Sequence, residues 1–136
     1  MKEVIILRGA PGSGKSSLAR LLLRLGGPEM VEVISADAFL MAHGRYVWTR
    51  ERCAAAHIKC WEQFDRALRN EMPVIVIDNT NAQERDFGQY VLTARSAGYN
   101  VRCVVVENRH GGRNEHDVPE ETIVRMKDSI NRSIQL

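Results

Sequence analysis

An α/β fold with a parallel sheet between helices is what this sequence predicts, on three observations. Short apolar runs alternate with segments whose apolar residues recur every three to four positions. One of the runs, Val74-Ile75-Val76-Ile77, is continuously apolar and β-branched, as expected of a strand buried on both faces. A glycine-rich stretch, GAPGSGKS at residues 9–16, stands directly between the first apolar run and the first helical pattern.

The elements follow in order. Residues 3–8, EVIILR, form the first strand. From Lys15 to Leu25 a helix carries leucines at 18, 21, 22, 23 and 25, and Gly26-Gly27-Pro28 stops it. Val31 to Ile34 is the second strand, with Asp37 just past its C-terminal end. Asp37 has two readings there: a functional carboxylate, or a cap that starts the segment Ala38 to Met41. Arg45, Tyr46, Trp48 and Arg50 form either a wall on which a ring stacks or an ordinary exposed turn. Thr49 caps a long helix with its inward stripe at Cys53, His57, Cys60, Trp61, Phe64 and Leu68. The third strand, Val74 to Ile77, runs into Asp78-Asn79-Thr80-Asn81. Asn81 and Glu84 have the spacing of an N-cap and its partner for a helix carrying Phe87, Tyr90, Val91 and Ala94. Val101 to Val106 is the fourth strand. A polar segment, Glu107 to Asp117, leads to a last helix near Pro119 with Ile123, Met126, Ile130 and Ile134 on one face.

The chain has 136 residues, ordinary for one domain, and the whole of it is read as one. With 19 Lys and Arg against 17 Asp and Glu, its charge of +2 makes no global case for nucleic acid or an anionic membrane, so any basic site is local. No run is long enough to span a bilayer, and no signal-peptide pattern precedes the first strand. Cys53, Cys60 and Cys103 are odd in number and without CxxC spacing, which fits reduced thiols in a cytoplasmic protein. Cys53, His57 and Cys60 share a helix face, but with Trp61 and Phe64 beside them the stripe reads as packing.

The stretch GAPGSGKS matches G-x-x-x-x-G-K-[ST] in the strand-then-helix context its mechanism requires. Its glycines let the loop curl so that backbone N–H groups converge on a phosphate, reinforced by the positive end of the following helix. Lys15 then reaches the β- and γ-phosphates, and the Ser16 hydroxyl ligates Mg²⁺. Gly12, Ser13, Gly14, Lys15, Ser16 and Ser17 are the expected nucleotide contacts. Phosphoryl transfer, hydrolysis and a switch without turnover all begin this way. In an open parallel sheet ligands lie beyond the C-terminal strand ends, so Asp37 and the Asp78–Asn81 segment should face the phosphate loop. Asp37 suits a general base. Asp78 serves magnesium, water or the acceptor.

These residues resemble the P-loop polynucleotide 5′-hydroxyl kinases, the family of a phage end-healing kinase and of the kinase half of metazoan polynucleotide kinase-phosphatase. The likeness lies in GAPGSGKSSLAR, ISADAF, VIVIDNTN and the segment Arg109-His110-Gly111-Gly112-Arg113 before Val118-Pro119, which together span most of the chain. The resemblance implies a four-stranded parallel sheet between helices and a mobile lid over about residues 107–117. It implies ATP and Mg²⁺ at Lys15 and Ser16, Asp37 as general base, and Arg113 on the transferring phosphate with Arg109 beside the nucleotide. Asp78, Thr80 and Asn81 fall near the acceptor, a hydroxyl at a nucleic-acid 5′ end. Leu40 stands where the phage kinase has an arginine for an acceptor phosphate, and no phosphatase domain is expected to follow. The alternatives are a kinase of a nucleoside, sugar or drug, and a non-catalytic nucleotide-binding regulatory module.

Overall fold

A computed structural model of the chain describes residues 1–107 and 118–134, the side chain of Ile134 excepted. Four strands, β1 (Glu3–Arg8), β2 (Val31–Ile34), β5 (Val74–Asp78) and β6 (Asn100–Val105), form one parallel sheet in the order β2-β5-β1-β6. Strand alternation divides its side chains between two layers. Val4, Ile6, Ile34, Ile75 and Ile77 pack with Cys60 and Phe64 of α3 (Arg50–Arg69) and with Phe87, Tyr90 and Ala94 of α4 (Glu84–Ser96). Leu7, Val31 and Val76 meet Ala19, Leu18, Leu22 and Leu23 of α1 (Lys15–Gly26) on the other face. The sheet is therefore covered on both sides, as the unbroken apolar run in β5 predicts. α5 (Glu120–Ile134) buries Ile123 and Ile130. β6 is an edge strand, and most of its side chains are exposed.

The connection after β2 departs from the expected helix start and turn. α2 (Ala36–Leu40) is a short helix, and it gives way to a hairpin of β3 (Met41–Ala42) and β4 (Arg45–Tyr46). His43 and Gly44 have φ of 51° and 76°, the pair of positive values that a two-residue hairpin turn needs to match strand twist. Val47 N donates to Leu40 O at 2.9 Å, and Arg52 donates to Val47 O at 3.0 Å and Leu40 O at 3.3 Å, pinning the hairpin to the first turn of α3. Thr49 caps α3 as expected, its Oγ1 accepting from Arg52 N at 3.0 Å.

The α3 stripe is corrected. Ala56, Cys60, Phe64 and Ala67 are its buried residues, whereas His57 is exposed and Cys53, Trp61 and Leu68 are half-buried. Residues four apart drift around a helix of 3.6 residues per turn, so Cys53, His57 and Trp61 look into a cleft while Cys60 and Phe64 enter the core. Burial pushes the Cys60 thiol up to about 11, an inert packing group. Among the described residues no group of three or more His, Cys, Asp or Glu is placed to hold a metal, and no helix is long and apolar enough to cross a membrane.

Candidate nucleotide and acceptor site

The glycine-rich loop leaves β1 under tight constraint. A Cβ on Gly9 would lie 2.6 Å from Val106 O and 2.5 Å from Ser13 Oγ, so only glycine fits between the loop and the end of β6. Gly12 and Gly14 have φ of 83° and 106°, the left-handed conformations that curl the loop. Gly14 begins α1 without a side-chain cap, and the first turn of that helix contains no acidic residue. Its end thus keeps the unsatisfied N–H donors and positive dipole that hold an anion. Ser13 is buried, its N–H donates to Ala10 O at 3.0 Å, and it does not line the cleft, unlike Gly12, Gly14, Lys15, Ser16 and Ser17.

Lys15 Nζ donates to Ala10 O at 3.2 Å. Burial pushes its pKa down, and Asp78 and then Asp37 oppose this by favouring the ammonium. Asp78 is 6% exposed and accepts a hydrogen bond from Ser16 Oγ at 3.2 Å. Burial pushes its carboxyl pKa up, against the pull of Lys15 and Ser16. Ser16 and Asp78 thus present a hydroxyl and a carboxylate side by side, the hard oxygen donors that Mg²⁺ takes together with phosphates and water. The residues present fit both groups.

Asp37 sits in the first turn of α2 and is not its cap. Ser35 holds the N-cap position without a side-chain bond, and Asn79 Oδ1 instead accepts from Ala36 N at 2.8 Å. The end of β5 thereby fixes the helix that carries Asp37. Tyr46 of the hairpin lines the same cleft as Asp37, and its pKa is pushed up to about 12, first by burial and then by the charge of that carboxylate.

Asn81 is corrected as a helix cap. The cap of α4 is Gln83, which forms a reciprocal capping box with Asp86. Asn81 has φ of 47°, is 4% exposed, and donates to Leu7 O at 2.7 Å and Asn79 O at 3.1 Å, locking the loop behind the cleft. Thr80 O accepts from Gly9 N at 3.1 Å, so this segment and the phosphate loop are bonded to each other.

Arg8 completes the frame. It is 5% exposed, donates to Asn81 O at 2.8 Å, Ala82 O at 3.1 Å and Ser133 Oγ at 2.7 Å, and lies 4.6 Å from the centre of the Phe87 ring. One guanidinium joins β1, the loop after β5, α4 and α5. Arg8→Met, which keeps an apolar stem, is expected to cost about 2–4 kcal/mol because three acceptors lose a charged donor. A lower urea midpoint at unchanged slope measures this, and an unchanged midpoint would show that the strut is dispensable. Arg8 and Asn79 were not among the site residues expected from sequence. The available signals were a single charge closing an apolar strand ahead of the glycine loop, and an amide next to a helix whose own cap is weak.

These groups surround a cleft of about 1180 Å³ at the C-terminal ends of β1, β2 and β5. Lys15, Ser16, Asp37, Asp78, Thr80 and Asn81 all line it, and Pro119 and Thr122 from the start of α5 face them. Arg109 and Arg113 lie outside the described residues, as does nearly all of the expected lid.

A family model for the AAA domain matches residues 4–132. NEDD4-binding protein 2 of Homo sapiens is 30% identical over 140 residues, covering 98% of this chain and 8% of that protein. The 2',3'-cyclic-nucleotide 3'-phosphodiesterase of Mus musculus is 36% identical over 108 residues, 78% of this chain and 24% of that protein. The chain therefore spans no more than about a quarter of the length of these curated relatives. A chain in the solved Pnkp1/Rnl/Hen1 complex superposes with a TM-score of 0.63 at 27% identity, covering 91% of this chain and 38% of that one. With the glycine loop, the lysine and the strand-end carboxylates all at one sheet edge, the chain belongs to the AAA-domain family as a P-loop nucleotide-binding domain of kinase-like fold.

Proposed function

We propose that this domain transfers the γ-phosphoryl group of ATP to a hydroxyl, and that the hydroxyl is the 5′ end of a polynucleotide. The observation that carries the reading is the position of Asp37 in the same cleft as Lys15 and Asp78, close enough that its charge acts on both. A switch without turnover needs no proton acceptor in the cleft. Transfer to a hydroxyl needs one to accept the proton.

In this reading the loop N–H groups and the N-terminus of α1 bind the β-phosphate, and Lys15 draws negative charge from the β- and γ-oxygens. Mg²⁺, held by Ser16 with Asp78 behind it, would neutralise further charge on the same phosphates. Asp37 takes the acceptor's proton as its oxygen bonds to the γ-phosphorus, and the bond to the β-phosphate oxygen breaks to release ADP. Asn79 fixes the start of the helix that carries Asp37 during this step. The polynucleotide acceptor is supported by the 27%-identical chain of the Pnkp1/Rnl/Hen1 complex and by the 5′-kinase resemblance of the motifs.

The test is incubation of purified protein with γ-labelled ATP and Mg²⁺ against 5′-OH DNA, 5′-OH RNA, nucleosides and sugars. Label on a polynucleotide 5′ end is the expected result. Label on a small molecule alone would replace the acceptor, and ATP binding without ADP formation against any acceptor would leave a regulatory module.

A further inference from the structure

The chain's polar-tipped aromatic residues are unevenly distributed. It has 2 tryptophans and 3 tyrosines, and both tryptophans and all the tyrosines but Tyr99 line the cleft. Tyr99 packs elsewhere, its hydroxyl bonded to Met72 O at 2.9 Å. No phenylalanine lines the cleft, although Phe64 stands directly behind it. Packing alone would not sort rings in this way. Rings that combine an apolar face with a polar edge suit a wall that meets ligand and water.

The wall combines fixed rings with an exposed one. Trp61 and Tyr90 are held rigidly, with ring centres 5.2 Å apart and Phe64 at 5.6 Å and 4.9 Å behind them. Trp48, two residues past the end of β4, lines the same cleft and is 58% exposed. Tyr46 and Asp37 line the cleft together, and the hairpin follows directly on the helix that carries Asp37, so the wall begins near that carboxylate.

Among the described residues, positive charge in the cleft lies mainly away from these rings, His57 of α3 excepted. Among the described residues, the cleft is lined by Lys15, Arg20, Arg125 and His57 as its possible cations. Lys15 and Arg20 belong to α1 and act on Asp78, at the phosphate end. Arg125 comes from α5. Arg52 is committed to Val47 O and Leu40 O, and Arg45 and Arg50 do not line the cleft. Leu40, 2% exposed, occupies the wall beside Asp37.

We propose that the hairpin side of the cleft is a stacking platform for a nucleobase, with Trp48 as the exposed ring and Trp61 and Tyr90 as its fixed backing, and that it grips the acceptor by its ring and not by a phosphate. The assignment of that nucleobase to the acceptor rests on the kinase reading above; the platform itself does not. The base can belong to a polynucleotide's terminal residue or to a free nucleoside.

Binding is read without turnover, by tryptophan fluorescence of the full chain, on a 5′-OH oligonucleotide, the same oligonucleotide with an abasic 5′ residue, and a nucleoside. Stacking is worth about 1–3 kcal/mol per base, so the abasic end should bind about 5- to 150-fold more weakly. Trp48→Ala should weaken the intact oligonucleotide by a similar factor and the abasic one little further, while Trp48→Phe recovers most of the loss. ATP affinity should stay at the wild-type value in both variants, which shows that they fold. Affinity should also fall only shallowly with salt, since few phosphates are neutralised. Quenching by the nucleoside as strong as by the oligonucleotide assigns the base to a free nucleoside; much weaker quenching assigns it to a strand end. Equal binding of intact and abasic ends, or Trp48→Ala with wild-type affinity, would overturn the platform. If the abasic end binds as well and still accepts label, the platform fails and the kinase stands; if stacking holds and no acceptor is labelled, the reverse is true.

Discussion

Lys15→Ala is expected to lower phosphoryl transfer by about 10³-fold or more, the scale of losing a preorganised charge on the transferring group. The same change should weaken nucleotide binding less, because the loop N–H groups and the end of α1 remain. Lys15 is the one lysine in the cleft lining and sits between Asp78 and Asp37, which both favour its charged form. Without it both carboxylates lose a cation they act on, so the charge that repels the incoming phosphates rises as the charge that attracts them is lost. Lys15→Arg should not restore the rate, since a planar guanidinium cannot take the place of a compact ammonium in a tight loop. Single-turnover transfer measured beside nucleotide affinity distinguishes the cases. A wild-type rate in folded Lys15→Ala would remove the phosphate loop from the mechanism.

Asp37→Asn is expected to cost about 10²-fold or more in transfer while nucleotide affinity and Tm stay near wild type. Asparagine keeps the size of the side chain but takes no proton. Because Asn79 bonds Ala36 N, the start of α2 does not depend on the charge at residue 37. A capping role predicts the opposite outcome, lower stability with transfer retained. Asp78→Asn belongs in the same experiment. Its carboxylate accepts from Ser16 Oγ, so its loss should raise the Mg²⁺ concentration needed for half-maximal rate. If Asp78→Asn removes transfer at saturating Mg²⁺ while Asp37→Asn does not, the two carboxylates exchange roles.

The parts of this fold that were legible in the sequence are those where burial dictates composition. β1 and β5 are covered on both faces, so almost every position is apolar, and their ends were found to within a residue. The glycine loop was legible because its positive φ values and close approach to Val106 restrict residue choice. The β3–β4 hairpin was not, since two-residue strands give no alternation to read and His43 is an unusual occupant of a left-handed turn position. Asn81 was misread for a different reason: amides that cap a helix and amides that bind a loop carbonyl look alike in sequence. Only the contact with Leu7 O, which lies 74 residues away along the chain, separates them. The frame that holds the start of α2 could not be read from sequence spacing, because Asn79 lies at the end of β5, 43 residues away.

The hairpin's bonds are local, with strand pairs Met41–Tyr46 and Ala42–Arg45, Val47 to Leu40, and Arg52 back to both ends. The phosphate loop, by contrast, is joined to Thr80, and Arg8 beside it to Asn81 and Ser133, positions far apart in the chain. A substitution in the loop therefore disturbs the whole sheet edge, whereas one at the hairpin's tip disturbs a dozen neighbouring residues. Under random change the two halves of the cleft should age at different rates. The nucleotide half is held by long-range bonds that few alternatives satisfy, and the hairpin half can be rewritten, lengthened or exchanged while the sheet beneath it stays folded. On the proposed reading, change at residues 41–48 would alter the exposed part of the acceptor wall while the nucleotide half is inherited intact.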